Sequence, residues 1–287
     1  MSDITGVLQT TYNAVEAKEI VLPHRPYLGM SGMGHECARY LWLTWRWAYL
    51  KKVTPKKLRI FERGDIEEAR VVRDLNNAGM FCYRVDKQGN EVPITGAIGE
   101  EQEELVHFTG HSKGHPDGRV RFVPEAPKTD HNLEIKTCAN KYFTACVKNG
   151  VKEAFFNYYV QANLYMKYMG LRRTLFCITN KDTEERHYER VKYDPLLADQ
   201  YHERILQILV LEQAPQGISA QPDFWKCKWC DAREVCFGIV PHERNCRTCV
   251  KAAVHDNGIW KCTAGGEYVI PEDVQRTGCS KEYVSLL

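Results

Sequence analysis

The sequence predicts an α/β protein: a mixed central sheet flanked by helices, with a helical N-terminal part and a cysteine-rich, metal-stapled C-terminal segment. Three observations carry this expectation. Helix-periodic segments come first, short strand-like runs punctuated by Gly, Pro and Asp fill the middle, and seven of the twelve cysteines fall after Pro222. With 287 residues the chain is long enough to bury a real core as one large domain or two modest ones.

Taken in order, residues 4–19 read as a short amphipathic helix, followed by a Pro-rich link from Leu22 to Leu28. Glu36 to Leu50 is rich in Trp and Tyr and too apolar all round for a surface helix, so it is expected in the core. Lys56 to Asn77 is a second long helix, with Gly79 as its stop signal. Met80 to Val85 and Val92 to Ile98 have strand composition on either side of the turn Lys87-Gln-Gly-Asn90. Glu104 to Gly110, Gly118 to Val123 and Asn132 to Cys138 are further strand candidates. Val151 to Met169 reads as a helix ending at Gly170, Thr174 to Thr179 and His187 to Tyr193 as strands, and Pro195 to Leu211 as a closing helix.

The formal net charge of +2 excludes a bulk basic field as an argument for nucleic-acid binding, so any such surface must come from local clusters such as Lys51 to Arg59. Residues 1–20 show no basic flank followed by an apolar run, and no stretch approaches the ~20 apolar residues of a membrane span. A cytoplasmic protein, with no membrane partner, is expected. In a reducing compartment twelve cysteines point to metal rather than disulfides. Cys82, Cys138, Cys146 and Cys177 stand in apolar or strand-like contexts and are expected as buried free thiols.

The chemistry sits in the middle of the chain. Gly114-His-Pro-Asp-Gly118 precedes one strand candidate, and Leu133-Glu-Ile-Lys-Thr137 lies on the next. Side chains alternate along a strand, so Glu134 and Lys136 share a face while Ile135 points to the core. Were Asp117 on an adjacent strand, two carboxylates and an ammonium would converge at the sheet edge. Such a set can hold Mg²⁺ through hard oxygen ligands and orient water for phosphodiester hydrolysis. Alone, the same spacing also fits a solvated strand face.

The order of four short motifs resembles the PD-(D/E)XK nuclease superfamily, in particular its RecB-like and lambda-exonuclease-like branch. Arg63-Gly-Asp-Ile-Glu-Glu68 is similar to the family's helical motif and implies Glu68 near the metal. Gly114-His-Pro-Asp-Gly118 and Glu134-Ile-Lys136 imply Asp117, Glu134 and Lys136 as the catalytic centre. Gln161-Ala-Asn-Leu-Tyr165 matches the family's Gln-x-x-x-Tyr element, whose i, i+4 spacing puts Gln161 and Tyr165 on one helix face. The resemblance spans about residues 60–195 and implies a restriction-endonuclease-like core. The implied metal ligands are Glu68, Asp117 and Glu134, with His115 beside them as a ligand, a phosphate contact or a turn residue, and Mg²⁺ or Mn²⁺ as the ion.

The cysteines form two sets. Cys227, Cys230 and Cys236 have Cys-x₂-Cys-x₅-Cys spacing, one ligand short of a tetrahedral site, and Cys246 or His242 would complete a zinc site. AddB-type and four-cysteine CRISPR-adaptation nucleases look similar here. That resemblance implies a [4Fe–4S] cluster on Cys37, Cys227, Cys230 and Cys236, with zinc as the alternative. Cys246-Arg-Thr-Cys249 with the later Cys262 and Cys279 suggests a structural Zn²⁺ in the tail, for which His255 is a substitute ligand.

The expected division is therefore an N-terminal helical segment at 1–55 carrying Cys37, a nuclease core at 56–215, an iron–sulfur segment at 216–240 and a zinc-binding tail at 241–287. The expected function is a metal-dependent deoxyribonuclease, an exonuclease acting on linear single- or double-stranded DNA ends in recombination, repair or phage replication, in a bacterial or phage-infected cell. A spacer-trimming nuclease resembling those of CRISPR adaptation, and a non-catalytic DNA-binding scaffold, are the alternatives. The chain carries no helicase motor, so unwinding would require a helicase or recombination partner.

Overall fold

A computed structural model describes residues 4–279 and 282–287. Its central sheet has six strands: β1 (Phe81–Val85), β2 (Glu91–Pro93), β3 (Gly118–Arg121), β4 (His131–Cys138), β5 (Arg173–Asn180) and β6 (Arg186–Lys192). Their spatial order is β6-β5-β4-β3-β1-β2, and all neighbours are antiparallel except β4 and β5. A parallel pair needs a long crossover, supplied here by helices α4 (Asn140–Ala154) and α5 (Phe156–Met169); the remaining main helices are α1 (Ile4–Glu16), α2 (Ala38–Trp45), α3 (Pro55–Asn77) and α6 (Pro195–Val210). Every β5 residue after Arg173 is buried, as expected for a strand covered on both faces. The mixed α/β class with a helix-flanked sheet is as expected.

Helix α3 starts where its sequence says it should. Thr54 Oγ1 accepts from the Lys57 amide at 3.4 Å, Pro55 occupies the first turn, and Gly79 follows the helix at φ 87°. Elsewhere the elements differ from expectation for local reasons. The N-terminal core helix stops at Trp45, because Trp47 takes a left-handed backbone (φ 55°) that turns its indole to donate to the Arg25 carbonyl at 2.8 Å. The crossover begins at Asn140 rather than Val151. Its polar first turns hide the pattern, and Gly150 (φ 78°) and Phe155 break it into two helices.

The strand expected at 92–98 pairs only to Pro93: Ile94 still donates to the Cys82 carbonyl at 3.0 Å, and the chain then turns away at Gly96 (φ 80°). Of the strand expected at 104–110 only Leu105–Val106 forms, since Gly110 turns back to donate to the His107 carbonyl at 2.7 Å. Cys82, Cys138, Cys146 and Cys177 are buried free thiols, as expected. No described helix is long and apolar enough to cross a membrane.

The C-terminal tail folds as a three-stranded antiparallel sheet, Ala252–Val254, Trp260–Cys262 and Tyr268–Val269. It does not stand apart. Trp260, Ala252 and Ile270 share one hydrophobic core with Leu41, Trp42 and Trp45 of α2 and with Ile205 and Leu209 of α6. Arg247 pins this junction: it is 2% exposed, its guanidinium lies 3.7 Å from the Trp47 ring centroid and 4.6 Å from that of Trp45, and it donates to Gln275 Oε1 at 2.9 Å and the Pro26 carbonyl at 2.8 Å. Burial pushes its pKa down, and no acidic side chain forms an ion pair with it among the described residues. Replacing Arg247 by Ala removes both stacking and hydrogen bonds, so urea unfolding should show a loss of about 3 kcal/mol. A loss below roughly 0.5 kcal/mol, the level of an ordinary surface change, would mean that Arg247 does not hold the tail in place.

Candidate active site

Strand parity builds the centre. Gly118 pairs with Leu133 across the β3–β4 ladder, which puts Asp117 at the end of β3, beside Glu134 and Lys136. Asp117 Oδ2 accepts from the Ile135 amide at 2.6 Å. Lys136 Nζ makes a hydrogen-bonded ion pair with Glu134 Oε1, donates to the Ile135 carbonyl at 3.0 Å, lies 3.8 Å from Asp117 Oδ2, and stands 5.3 Å from the Tyr158 ring centroid. Glu134 is fully buried, and Gln161 Nε2 on α5 donates to the same Oε1 at 2.8 Å. Its other oxygen, Oε2, is buried with no hydrogen-bond partner.

The glycines of the Asp117 segment are there for space. A Cβ on Gly114 would come within 2.5 Å of the Tyr165 ring, and one on Gly118, at φ 150°, within 2.7 Å of Ile94. This close approach lets the Tyr165 hydroxyl accept from the His115 amide at 3.3 Å and hold the turn that carries Asp117. The His115 ring is directed elsewhere, with Nε2 3.6 Å from Glu104 Oε2 and its centroid 5.7 Å from that of Tyr27.

Helix α3 separates its two adjacent glutamates. Glu67 is buried and accepts from Arg186 at 2.8 Å and Thr179 at 3.2 Å. Glu68, about 100° further round the helix, turns into the cleft and accepts from Gln102 Nε2 at 3.2 Å. Three clefts meet at Asp117. The largest, about 770 Å³, also reaches Glu68, Lys136, Tyr158 and Phe61; one of about 220 Å³ reaches Glu68, Asp65 and Gln102; one of about 430 Å³ reaches His115, Gln161 and Tyr165.

The electrostatics are crowded. Burial pushes Glu134 up to about 7, against the pull of Lys136 and with the help of Asp117. Burial and then the Asp117 charge push Glu68 up to about 8, and burial raises Asp117 as well. Burial alone would lower Lys136, but the charges of Glu134 and Asp117 reverse this and hold it above the usual lysine range. Three carboxyl groups therefore face one ammonium. The donor set consists of hard oxygens, and the unpartnered Glu134 Oε2 is the kind of atom that a divalent cation satisfies. As positioned, no group of three or more His, Cys, Asp or Glu side chains among the described residues meets metal-holding distances. The residues nonetheless fit a hard cation by chemistry: Asp117, Glu134, Glu68 and the Ile135 carbonyl.

Four participants went unnoticed in the sequence. Asp65 lines the cleft one helical turn before Glu68 and was open to helix periodicity. Gln102, the Ile135 carbonyl and Tyr158 left no local signal.

The cysteines form two neighbourhoods. Cys37 caps α2, its Sγ accepting from the Tyr40 amide at 3.4 Å, and its nearness helps to raise the thiols of Cys227, Cys230 and Cys236. Cys230 is pushed up to about 11 by burial first and then by the neighbouring Cys37 and Cys236. Cys246, Cys249, Cys262 and Cys279 all line one small cavity of about 20 Å³. Cys246 thus joins the tail set, and the substitute histidines are engaged elsewhere: His242 with Tyr283 at 2.8 Å, His255 with Lys261 at 3.2 Å.

No family model matches the chain, and no curated protein does. Among solved structures, an alkaline exonuclease from Laribacter hongkongensis is similar with 14% identity and a TM-score of 0.43, over 65% of this chain and 87% of that one. Its complex with dAMP gives 15% identity and a TM-score of 0.40, over 64% and 86%. The crystal structure of SSO0001 gives 13% identity and a TM-score of 0.39, over 81% and 96%.

The two glutamine contacts differ in what they support, which makes the geometry testable. Gln161→Leu strips a donor from a fully buried carboxylate and should cost about 1–3 kcal/mol in chemical unfolding, whereas Gln102→Leu at the cleft surface should cost under about 0.5 kcal/mol. Equal losses would contradict the difference in environment between Glu134 and Glu68.

Proposed function

We propose that the chain is a metal-dependent deoxyribonuclease that hydrolyses phosphodiester bonds at DNA ends. The observation that carries this reading is the fully buried Glu134: one oxygen is shared by Lys136 and Gln161, the other lacks a partner, and Lys136 lines an open cleft together with Asp117 and Glu68. A structural salt bridge has no need of two further carboxylates and an orphaned oxygen, whereas a site awaiting a cation and a phosphate does.

In this reading Asp117, Glu134, Glu68 and the Ile135 carbonyl would hold Mg²⁺ or Mn²⁺. When bound, the ion supplies Lewis acidity toward the phosphoryl oxygen and a lowered pKa for water. The protein's own groups do the rest. Gln161 fixes Glu134 so that one oxygen stays free. The Ile135 amide holds Asp117, and the Tyr165 hydroxyl holds the turn before it. Lys136, kept charged by its two carboxylates, donates hydrogen bonds: it orients the attacking water and stabilises the negative charge that grows on the phosphoryl oxygens. Preference for DNA ends rests on the likeness of the Glu68 and Gln161/Tyr165 motifs to end-directed nucleases of this type.

The test sets wild type beside Lys136→Ala on end-labelled linear and closed-circular DNA, with Mg²⁺, Mn²⁺ or EDTA. Cleavage of linear DNA only with metal, a fall of about a thousandfold or more in the variant, and survival of the circle are expected. Equal DNA binding by both proteins with no cleavage by either would leave a non-catalytic binding scaffold.

For the cysteines, we infer a [4Fe–4S] cluster on Cys37, Cys227, Cys230 and Cys236 and a structural zinc on Cys246, Cys249, Cys262 and Cys279. The shared cavity of the second set supports the zinc, since four thiolates are its commonest structural shell. Elemental analysis of anaerobically purified protein should find about four irons and about one zinc per chain. Cys37→Ser should lose iron and keep zinc, and Cys262→Ser the reverse; loss of both metals from either variant would remove the assignment of separate sites.

A further inference from the structure

The six tryptophans divide sharply. Trp42, Trp45, Trp47 and Trp260 are at most 1% exposed, while Trp225 and Trp229 are 67% and 82% exposed. Leaving two indoles in water forfeits burial that the other four obtain. These two belong to one short stretch, Phe224-Trp-Lys-Cys-Lys-Trp-Cys230, in which aromatic and basic residues interleave. Each lysine lies over the neighbouring ring: Lys226 Nζ is 5.1 Å from the Trp225 centroid and Lys228 Nζ 5.7 Å from that of Trp229. Lys226 also pairs with Glu36 at 2.5 Å, whereas Lys228 makes no ion pair among the described residues.

Position gives the patch a purpose. Asp231, two residues after Trp229, is paired with Lys51 at 3.8 Å, and Lys51 lines the large cleft that runs to Asp117 and Lys136. Through that pair the stretch adjoins the cleft, whose lining also includes Arg25, Tyr40 and Phe61. A flat apolar ring beside a cation suits one chemistry well: an unpaired base stacks on the ring while the ammonium meets its phosphate. Bases in a duplex are stacked already and do not offer their faces.

We propose that Trp225, Lys226, Lys228 and Trp229 form a stacking platform for single-stranded DNA, holding the strand outside the cleft while its end lies at Asp117 and Lys136. The inference rests on the nuclease reading for its direction and on the exposed Trp–Lys stretch for its chemistry. No base edge is read by a stacked ring, so binding is independent of sequence.

The experiment uses the full-length protein in EDTA, where binding is read without cleavage. Fluorescence anisotropy follows a labelled oligothymidylate of about twenty nucleotides and a blunt duplex of the same length, and cleavage is assayed separately with Mg²⁺. Trp225→Ala/Trp229→Ala should weaken single-strand binding about tenfold or more, leave duplex binding within about twofold, and leave the iron content of the purified protein unchanged. Trp225→Phe/Trp229→Phe should recover most of the affinity, and Lys228→Gln should flatten the salt dependence. Single-strand affinity unchanged in the alanine variant overturns the platform and hands the patch to a protein partner, as does a wild type that binds no single strand. A wild type that binds single strands through these tryptophans yet cuts nothing keeps the platform and ends the hydrolytic reading; a wild type that cuts with unaltered affinity in the variant does the opposite.

Discussion

Lys136 sits on the cleft wall between two carboxylates, one of them fully buried, and the surrounding architecture follows from that. A buried ammonium is tolerable only with partners at hydrogen-bonding distance, and a buried carboxylate only with donors. The β3–β4 ladder brings Asp117 to the Ile135 amide, strand alternation brings Glu134 to Lys136, and the crossover helix α5 delivers Gln161 to Glu134. Shift β4 by one residue and all three relations fail together, because every side chain changes face. The sheet is fixed in register by its charges as much as by Leu133, Leu175 and Cys177 packed beneath them.

That dependence explains which parts were legible beforehand. That Glu134 and Lys136 share a face was readable because period-two alternation is a local rule, whereas Asp117 and the choice of Glu68 over Glu67 came only from the resemblance of short motifs; the structure puts Asp117 at the Ile135 amide and Glu68 on the cleft. Gln161 and Tyr165 were picked out by the resemblance and put on one helix face by their i, i+4 spacing, although their separate contacts, one with Glu134 and the other with the His115 amide, emerge only in three dimensions. His115 shows the limit. Its place two residues before Asp117 left a ligand, a phosphate contact and a turn residue all open, and only the structure turns its ring to Glu104, an acidic neighbour brought by strand pairing of Leu105 with Gly114.

Helix α4 was missed for a different reason. Asn140 to Lys148 is a largely polar surface helix whose few inward residues, Phe143 and Cys146, are too sparse to declare a period, and the following Gly150 invites a loop assignment. The tail was read as poor in apolar periodicity, which is true, and still buries Trp260 and Ile270 in the main core. A few large side chains at irregular spacing can anchor a module with no visible pattern. What holds them is Arg247, a residue type that sequence reasoning assigns to the surface.

The irregular stretch from His24 to Glu36 ties these features together. Apart from a short strand at Leu28–Gly29 and one 3₁₀ turn it has no regular structure, so its carbonyls must find donors elsewhere. They are met by side chains from distant parts of the chain: Arg276 at His24, Trp47 at Arg25, Arg247 at Pro26, Ser112 at Leu28, and Arg204 at Met33, His35 and Glu36. The same stretch supplies Arg25, Tyr27 and Ser31 to the wall of the large cleft. One side of the cleft is thus a loop whose shape is imposed by arginines of α6 and of the tail. The tail, remote from Asp117 in sequence, acts on the site by holding that wall. A tail that loosened would open the cleft while leaving the Glu134–Lys136 pair intact, because that pair is held by β4 and α5 and not by the tail.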